Sequence, residues 1–141
     1  MIIRTEQGWR RLFASAALFN LGVAALFGFG GDALFSRLGV APRPQPALWF
    51  ELAMLAVAVF GLGYYGVARD LGQTLVVRMG AIGKVGFVIV IVGQWLAGNA
   101  SWQLVALVMG DFVYALFFFD FLCNASGFRH KTSPQSSGRH A

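Results

Sequence analysis

The sequence predicts an all-α integral membrane protein, a four-helix bundle with both termini in the cytoplasm. Three observations lead there. Of the 141 residues 57% are hydrophobic and only 12% are charged, about half the ~25% of an ordinary soluble domain. The apolar residues gather into four stretches, Leu12 to Gly30, Ala47 to Ala68, Thr74 to Ala97 and Trp102 to Asn124. Each is close to the roughly 20 residues that cross a ~30 Å hydrocarbon core at ~1.5 Å per residue. No stretch alternates in polarity as a transmembrane β-strand must, and a buried strand would be far shorter.

The first stretch follows Arg4, Arg10 and Arg11, so a cleavable secretory signal is the rival to a spanning helix. Phe27 to Gly31 closes it with large residues and glycines rather than a small-x-small cleavage site, which favours the helix. In the following loop, Ala33, Leu34, Phe35 and Leu38 stand beside Asp32, Ser36 and Arg37, the pattern of a short interfacial helix over Asp32 to Val40. Pro42, Pro44 and Pro46 stiffen the approach to the second span, which starts after the last of them. The third and fourth spans are joined by Gly98 to Ser101, a tight connection. Residues 1–126 therefore form the membrane domain. The tail, 127–141, is polar and Ser-rich, and disorder is expected there.

Basic residues set the orientation. Arg4, Arg10, Arg11, Arg69, Arg78, Arg129, Lys131 and Arg139 fall on one side, Arg37 and Arg43 on the other, and Lys84 lies within a span. The positive-inside rule then places both termini in the cytoplasm. Trp49, Trp95 and Trp102 would sit at the outer interface and Trp9 at the inner one. The net charge of +5 is spread along the cytoplasmic edge, where it suits anionic lipid headgroups rather than nucleic acid.

Several motifs lack the context their chemistry needs. Gly61-Leu-Gly-Tyr-Tyr-Gly66 matches G-x-G-x-x-G, but a dinucleotide fingerprint opens a helix after a strand, and here it lies inside a span. Glycines so placed serve close helix packing. Asn99 and Asn124 each begin a glycosylation sequon, one in a tight loop at the membrane and one on the cytoplasmic side. Cys123 is the sole cysteine, so no internal disulfide forms; it reads as an apolar filler, with palmitoylation the alternative. His130 and His140 lack carboxylate or thiolate company, and no metal, cofactor or catalytic residue is expected.

The informative residues are polar groups within the spans: Asn20, Glu51, Lys84, Gln94 and Asp111, with Arg78 and Asp120 near the inner boundary. An ionised side chain at mid-bilayer costs roughly 2.5–3.5 kcal/mol on insertion scales, so each must be paired, neutralised or wetted. Counting rise per residue about the two short loops orders them by depth: Gln94, Glu51, Asp111, then Lys84 with Asn20, spaced about one turn apart. Tyr114, three residues beyond Asp111, shares its face. Asp120 is nine residues on, about half a turn round, and is assigned to an inner-edge ion pair with Arg78. Two accounts of the ladder stay open. The groups hydrogen-bond the helices together at roughly 0.6–2 kcal/mol each. Alternatively Glu51, Asp111 and Lys84, two acids facing one base, form a proton relay or the polar end of a pocket for a quinone or lipid. The 14 phenylalanines read as fill, since Phe117, Phe118, Phe119 and Phe121 cannot face one partner.

The segment Tyr64-Tyr-Gly-Val-Ala-Arg-Asp70, Arg78 and Lys84 early in the third span, and Gly110-Asp111 in the fourth resemble the small DoxX-like four-helix bacterial inner-membrane proteins. The resemblance spans roughly residues 10 to 124. It implies a compact bundle in a bacterial inner membrane and, from some relatives, an accessory role in quinone-linked or redox complexes. Asn20-Leu-Gly22 stands where DoxX itself has a glycine-lysine signature, and no catalytic residue is carried over. Two functions follow as expectations: a non-enzymatic accessory or assembly component, homo-oligomeric or part of a larger membrane complex, or a proton-coupled carrier or binder of a small amphipathic molecule.

Overall fold

The structure is a computed structural model that describes residues 3, 5–40 and 46–124. The polar tail, both histidines, Arg4, Pro42, Arg43 and Pro44 lie outside the described residues. Within these the chain forms five helices and no strand: α1 (Glu6–Phe29), α2 (Gly31–Arg37), α3 (Ala47–Arg69), α4 (Thr74–Leu96) and α5 (Trp102–Asn124). All but α2 are long and apolar enough to cross a membrane.

Local chemistry fixes the boundaries. α1 starts at Glu6, before the apolar run at Leu12, because Thr5 Oγ1 accepts from the Gly8 amide (3.1 Å) and caps the helix. Glu6 then pairs with Arg10 one turn on (2.8 Å), and its charge suits the helix N-terminus. The chain turns sharply into α2 at Gly30 and Gly31. A Cβ on Gly30 would collide with the Leu26 carbonyl oxygen, and Gly31 adopts φ +58°, which glycine takes at no steric cost. Pro46, extended at ψ 144°, precedes α3. At the far end of α3, Arg10 Nη1 donates to the carbonyls of Ala68 (3.0 Å) and Arg69, satisfying acceptors left open at a helix C-terminus. Asp70 Oδ1 accepts from the Gly72 amide (2.9 Å) to close the four-residue turn into α4.

α1 packs along α3, and α4 along α5. Gly61 admits the first pair's close approach: a Cβ there would meet Leu21 Cγ at 2.9 Å and Asn20 Cβ at 3.2 Å. α3 and α4 meet mainly near their shared turn, where Gly63 faces Val76 and Gly66 faces Gln73. The motif from Gly61 to Gly66 is thus three close helix contacts.

The end of the molecule bearing the α3–α4 turn is filled with rings. Phe121 lies 5.1 Å from Trp9 and 5.0 Å from Phe13, and Phe118 lies 5.1 Å from Phe13 and 5.0 Å from Tyr64. These residues are buried, so Phe118 and Phe121 join α5 to α1 and α3, while Phe119 on the next face is exposed. Trp9 differs from expectation: it starts a span, as an interfacial ring would, but points inward and is 0% exposed. Trp49, Trp95 and Trp102 are exposed at the opposite end. The outer surface of the spans is otherwise largely apolar, with Leu18, Leu55, Leu62, Ile82, Ile89 and Leu96 all exposed. Such a surface is natural in lipid, and with four helices long and apolar enough to cross it the protein is an integral membrane protein of helical type.

Candidate functional site: a polar triad beneath an apolar cavity

All four long helices converge on Lys84. Its side chain is 5% exposed and its ammonium donates to two oxygens, Asn20 Oδ1 from α1 (3.0 Å) and an Asp111 carboxylate oxygen from α5. Asn20 Nδ2 in turn donates to the Val57 carbonyl of α3 at 3.4 Å. Three rings surround the charge, with centroids 5.5 Å (Tyr64), 5.5 Å (Tyr114) and 5.7 Å (Phe19) from Nζ, within cation–π range. A buried ammonium is tolerable only with such company.

Glycines make room for this arrangement. A Cβ on Gly80 would lie 2.5 Å from the Tyr64 hydroxyl oxygen, so only glycine lets that ring lie against α4 one turn before Lys84. A Cβ on Gly110 would meet Phe19 Cζ at 3.0 Å, so Gly110 lets that ring pass α5 beside Asp111. Gly61, as above, lets α3 approach Asn20.

The triad marks a change in packing. On the α3–α4 turn side of it the interior is solid with rings; on the α2 side it is hollow. One cavity of about 440 Å³ runs from Asp111 toward α2, and a second of about 270 Å³ adjoins it at Asn20, Lys84 and Tyr64. Phe19, Val23, Ala53, Met54, Phe87 and Asp111 line both, so the two adjoin as neighbouring lobes. Phe27, Phe35 and Phe50 add rings to the larger lobe. α2 covers its end: Phe35 is buried between Phe27 (5.4 Å) and Phe50 (5.5 Å). The combined space lies in the range of small-molecule sites, apolar with few convergent polar groups.

The ladder read from the sequence is therefore divided. Asn20, Lys84 and Asp111 come together. Tyr114 joins through its ring, while its hydroxyl donates to Ser15 Oγ of α1 (3.2 Å). Gln94 does not join: it is exposed, and its Oε1 accepts from Asn99 Nδ2 (3.0 Å) at the loop. Glu51 is exposed on α3, one position round the helix from Phe50, which faces the cavity. Rise per residue fixes depth but not rotation about the helix axis, and rotation takes both away from the triad. Toward the α3–α4 turn, Arg78 is exposed on α4 and Asp120 half-buried on α5, where the Asp120 backbone carbonyl and Oδ1 accept from Asn124 Nδ2 (2.7 and 2.9 Å).

Sequence reasoning held a pocket as one of two alternatives but read the phenylalanines as fill, because phenylalanine does not announce whether it fills or lines a space. One signal was present: Phe19 precedes Asn20 and Phe87 falls three residues after Lys84, on its face. No family model, curated protein or solved structure matches this chain.

Proposed function

We propose that the protein is a four-helix membrane bundle, both termini cytoplasmic, that binds a small amphipathic molecule of the quinone class within the bilayer. The observation that carries this is the apolar cavity ending on the Lys84–Asp111 pair. A helix-stabilising ion pair needs no void beside it, since packing is what holds membrane helices together. The pair is neutral overall, so it favours an uncharged head over an anion. Lys84 has a third N–H for a carbonyl oxygen, and Asp111 a second oxygen for a hydroxyl. Rings of Phe19, Phe27, Phe50 and Phe87 suit a planar head, which they contact by stacking or edge-to-face. The location proposed is a bacterial inner membrane, in keeping with the eight-to-two bias of basic residues.

The test is titration of the protein in nanodiscs with a decyl-substituted benzoquinone, followed by quenching of tryptophan fluorescence. Saturable one-to-one binding is expected, lost in Val23→Trp, which fills the space shared by both lobes. Quenching that rises linearly with probe, equal in both proteins, contradicts the proposal.

A second reading, an accessory or assembly component, is favoured by the α4 surface. Gly86 and Gly93 are exposed, and a methyl group added at either would meet nothing within 4 Å. They stand among exposed Ile82, Ile89 and Val90, a face on which another helix can lie closely. The two roles are compatible, and the DoxX-like resemblance suits the second. Blue-native electrophoresis of Gly86→Leu against wild type tests it: a smaller assembly in the variant supports a helix partner on this face.

A further inference from the structure

We infer that the cavity is reached sideways from the bilayer, through a slot between α3 and α4, so that its ligand is one dissolved in the membrane. The inference rests on the ligand-binding role proposed above and specifies its route.

α3 and α4 touch at their shared turn and as far as Tyr64 against Gly80. Beyond that point the α3 side of the gap is formed by Ala53 and Ala56 and the α4 side by Gly83 and Phe87, all four of which line the cavity. Ala53 and Ala56 are nonetheless exposed, and Phe87 is 46% exposed. Residues that both line a cavity and reach the surface mark its opening. The rim is small except for Phe87, whose ring is the one bulky group across it. Flanking the slot, Val59 and Ile82 are exposed and apolar, so the opening faces hydrocarbon rather than water. Elsewhere α1 lies along α3 and α5 along α4, Phe19 meets Tyr114 at 5.5 Å between α1 and α5, and Phe35 covers the α2 end. Leu107 and Asn99 are exposed and line the larger lobe, whereas the slot opens directly on the lobe that holds Lys84. An amphiphile sliding in through the slot would reach Lys84 and Asp111 without leaving the low-dielectric interior.

Gly83 offers a direct test, because a Cβ there meets nothing within 4 Å and a side chain can start there without a clash. Association and dissociation of the decyl benzoquinone are measured by stopped-flow quenching in nanodiscs for wild type, Gly83→Leu and Gly22→Leu; Gly22, exposed on α1, also has nothing within 4 Å of an added Cβ and lies outside both lobes. Gly83→Leu is expected to slow both rates by about tenfold, as narrowing a passage does, whereas loss of a binding contact speeds dissociation. Gly22→Leu is expected to match wild type. A second measurement varies lipid at fixed protein and probe: association is expected to follow probe per lipid. Unchanged rates in Gly83→Leu with wild-type stoichiometry, or association that follows aqueous probe concentration, overturn the slot while leaving the binding site standing. Absence of saturable binding in wild type overturns both.

Discussion

Lys84 donates to Asp111 across α4 and α5, 27 residues apart in the chain, at the level where the interior changes from packed rings to open space. That placement gives the pair two roles. It ties α4 to α5 and, through Asn20, to α1, and it supplies the polar end of an otherwise apolar cavity.

Breaking the pair one residue at a time strands a charge. Lys84→Met and Asp111→Leu are each expected to cost about 3 kcal/mol, while the double variant recovers most of the loss because no buried charge is left without a partner. SDS-driven unfolding read by Trp9 fluorescence, with the other tryptophans replaced by Phe, measures this. Additive losses in the double variant would count against direct coupling.

Two glycines on one helix face opposite outcomes. Gly80→Ala drives a methyl into the buried Tyr64 ring and is expected to destabilise by about 1–3 kcal/mol. Gly83→Ala meets open space and is expected to be neutral or stabilising by up to about 1 kcal/mol, from helix propensity. The same unfolding assay ranks them, and equal effects would contradict the packing described around Lys84.

Adjacent phenylalanines of α5 separate just as sharply. Phe118→Ala opens a void among Phe13, Tyr64 and Phe121 and is expected to cost about 3 kcal/mol. Phe119→Ala, at an exposed position, is expected to change stability by less than about 0.5 kcal/mol.

Orientation is testable with single cysteines in a Cys123→Ser background. Asn99→Cys, in the α4–α5 loop, is expected to react with a membrane-impermeant maleimide added to intact cells, and Gln73→Cys, in the α3–α4 turn, only after lysis. The reverse pattern would place both termini outside.

The spans were legible because the bilayer imposes a length and a composition together, and no other fold class writes four such runs in 141 residues. Asn20, Lys84 and Asp111 were legible for a related reason: a polar residue flanked by apolar turns has few places to go, and loop-anchored counting sets its depth. What counting cannot supply is rotation. Glu51 and Gln94 sit at plausible depths yet face outward, and Trp9 sits at a span's end yet faces inward. The start of α1 escaped notice because apolarity marks where lipid begins, while Thr5 and Glu6 mark where the helix begins. The cavity's place and lining were not legible for a subtler reason. It depends on how α3 and α4 diverge beyond Gly80, a property of several helices packed at once rather than of any segment.

The proposed hold of Lys84 on the head of a ring-bearing amphiphile is read most directly from the infrared spectrum of a bound ¹³C-carbonyl decyl benzoquinone in nanodiscs. The expected result is a carbonyl band shifted to lower frequency by hydrogen bonding in wild type, and absent in the refolded Lys84→Met/Asp111→Leu variant. A bound probe whose carbonyl bands are the same in both proteins and match those in plain lipid would contradict it.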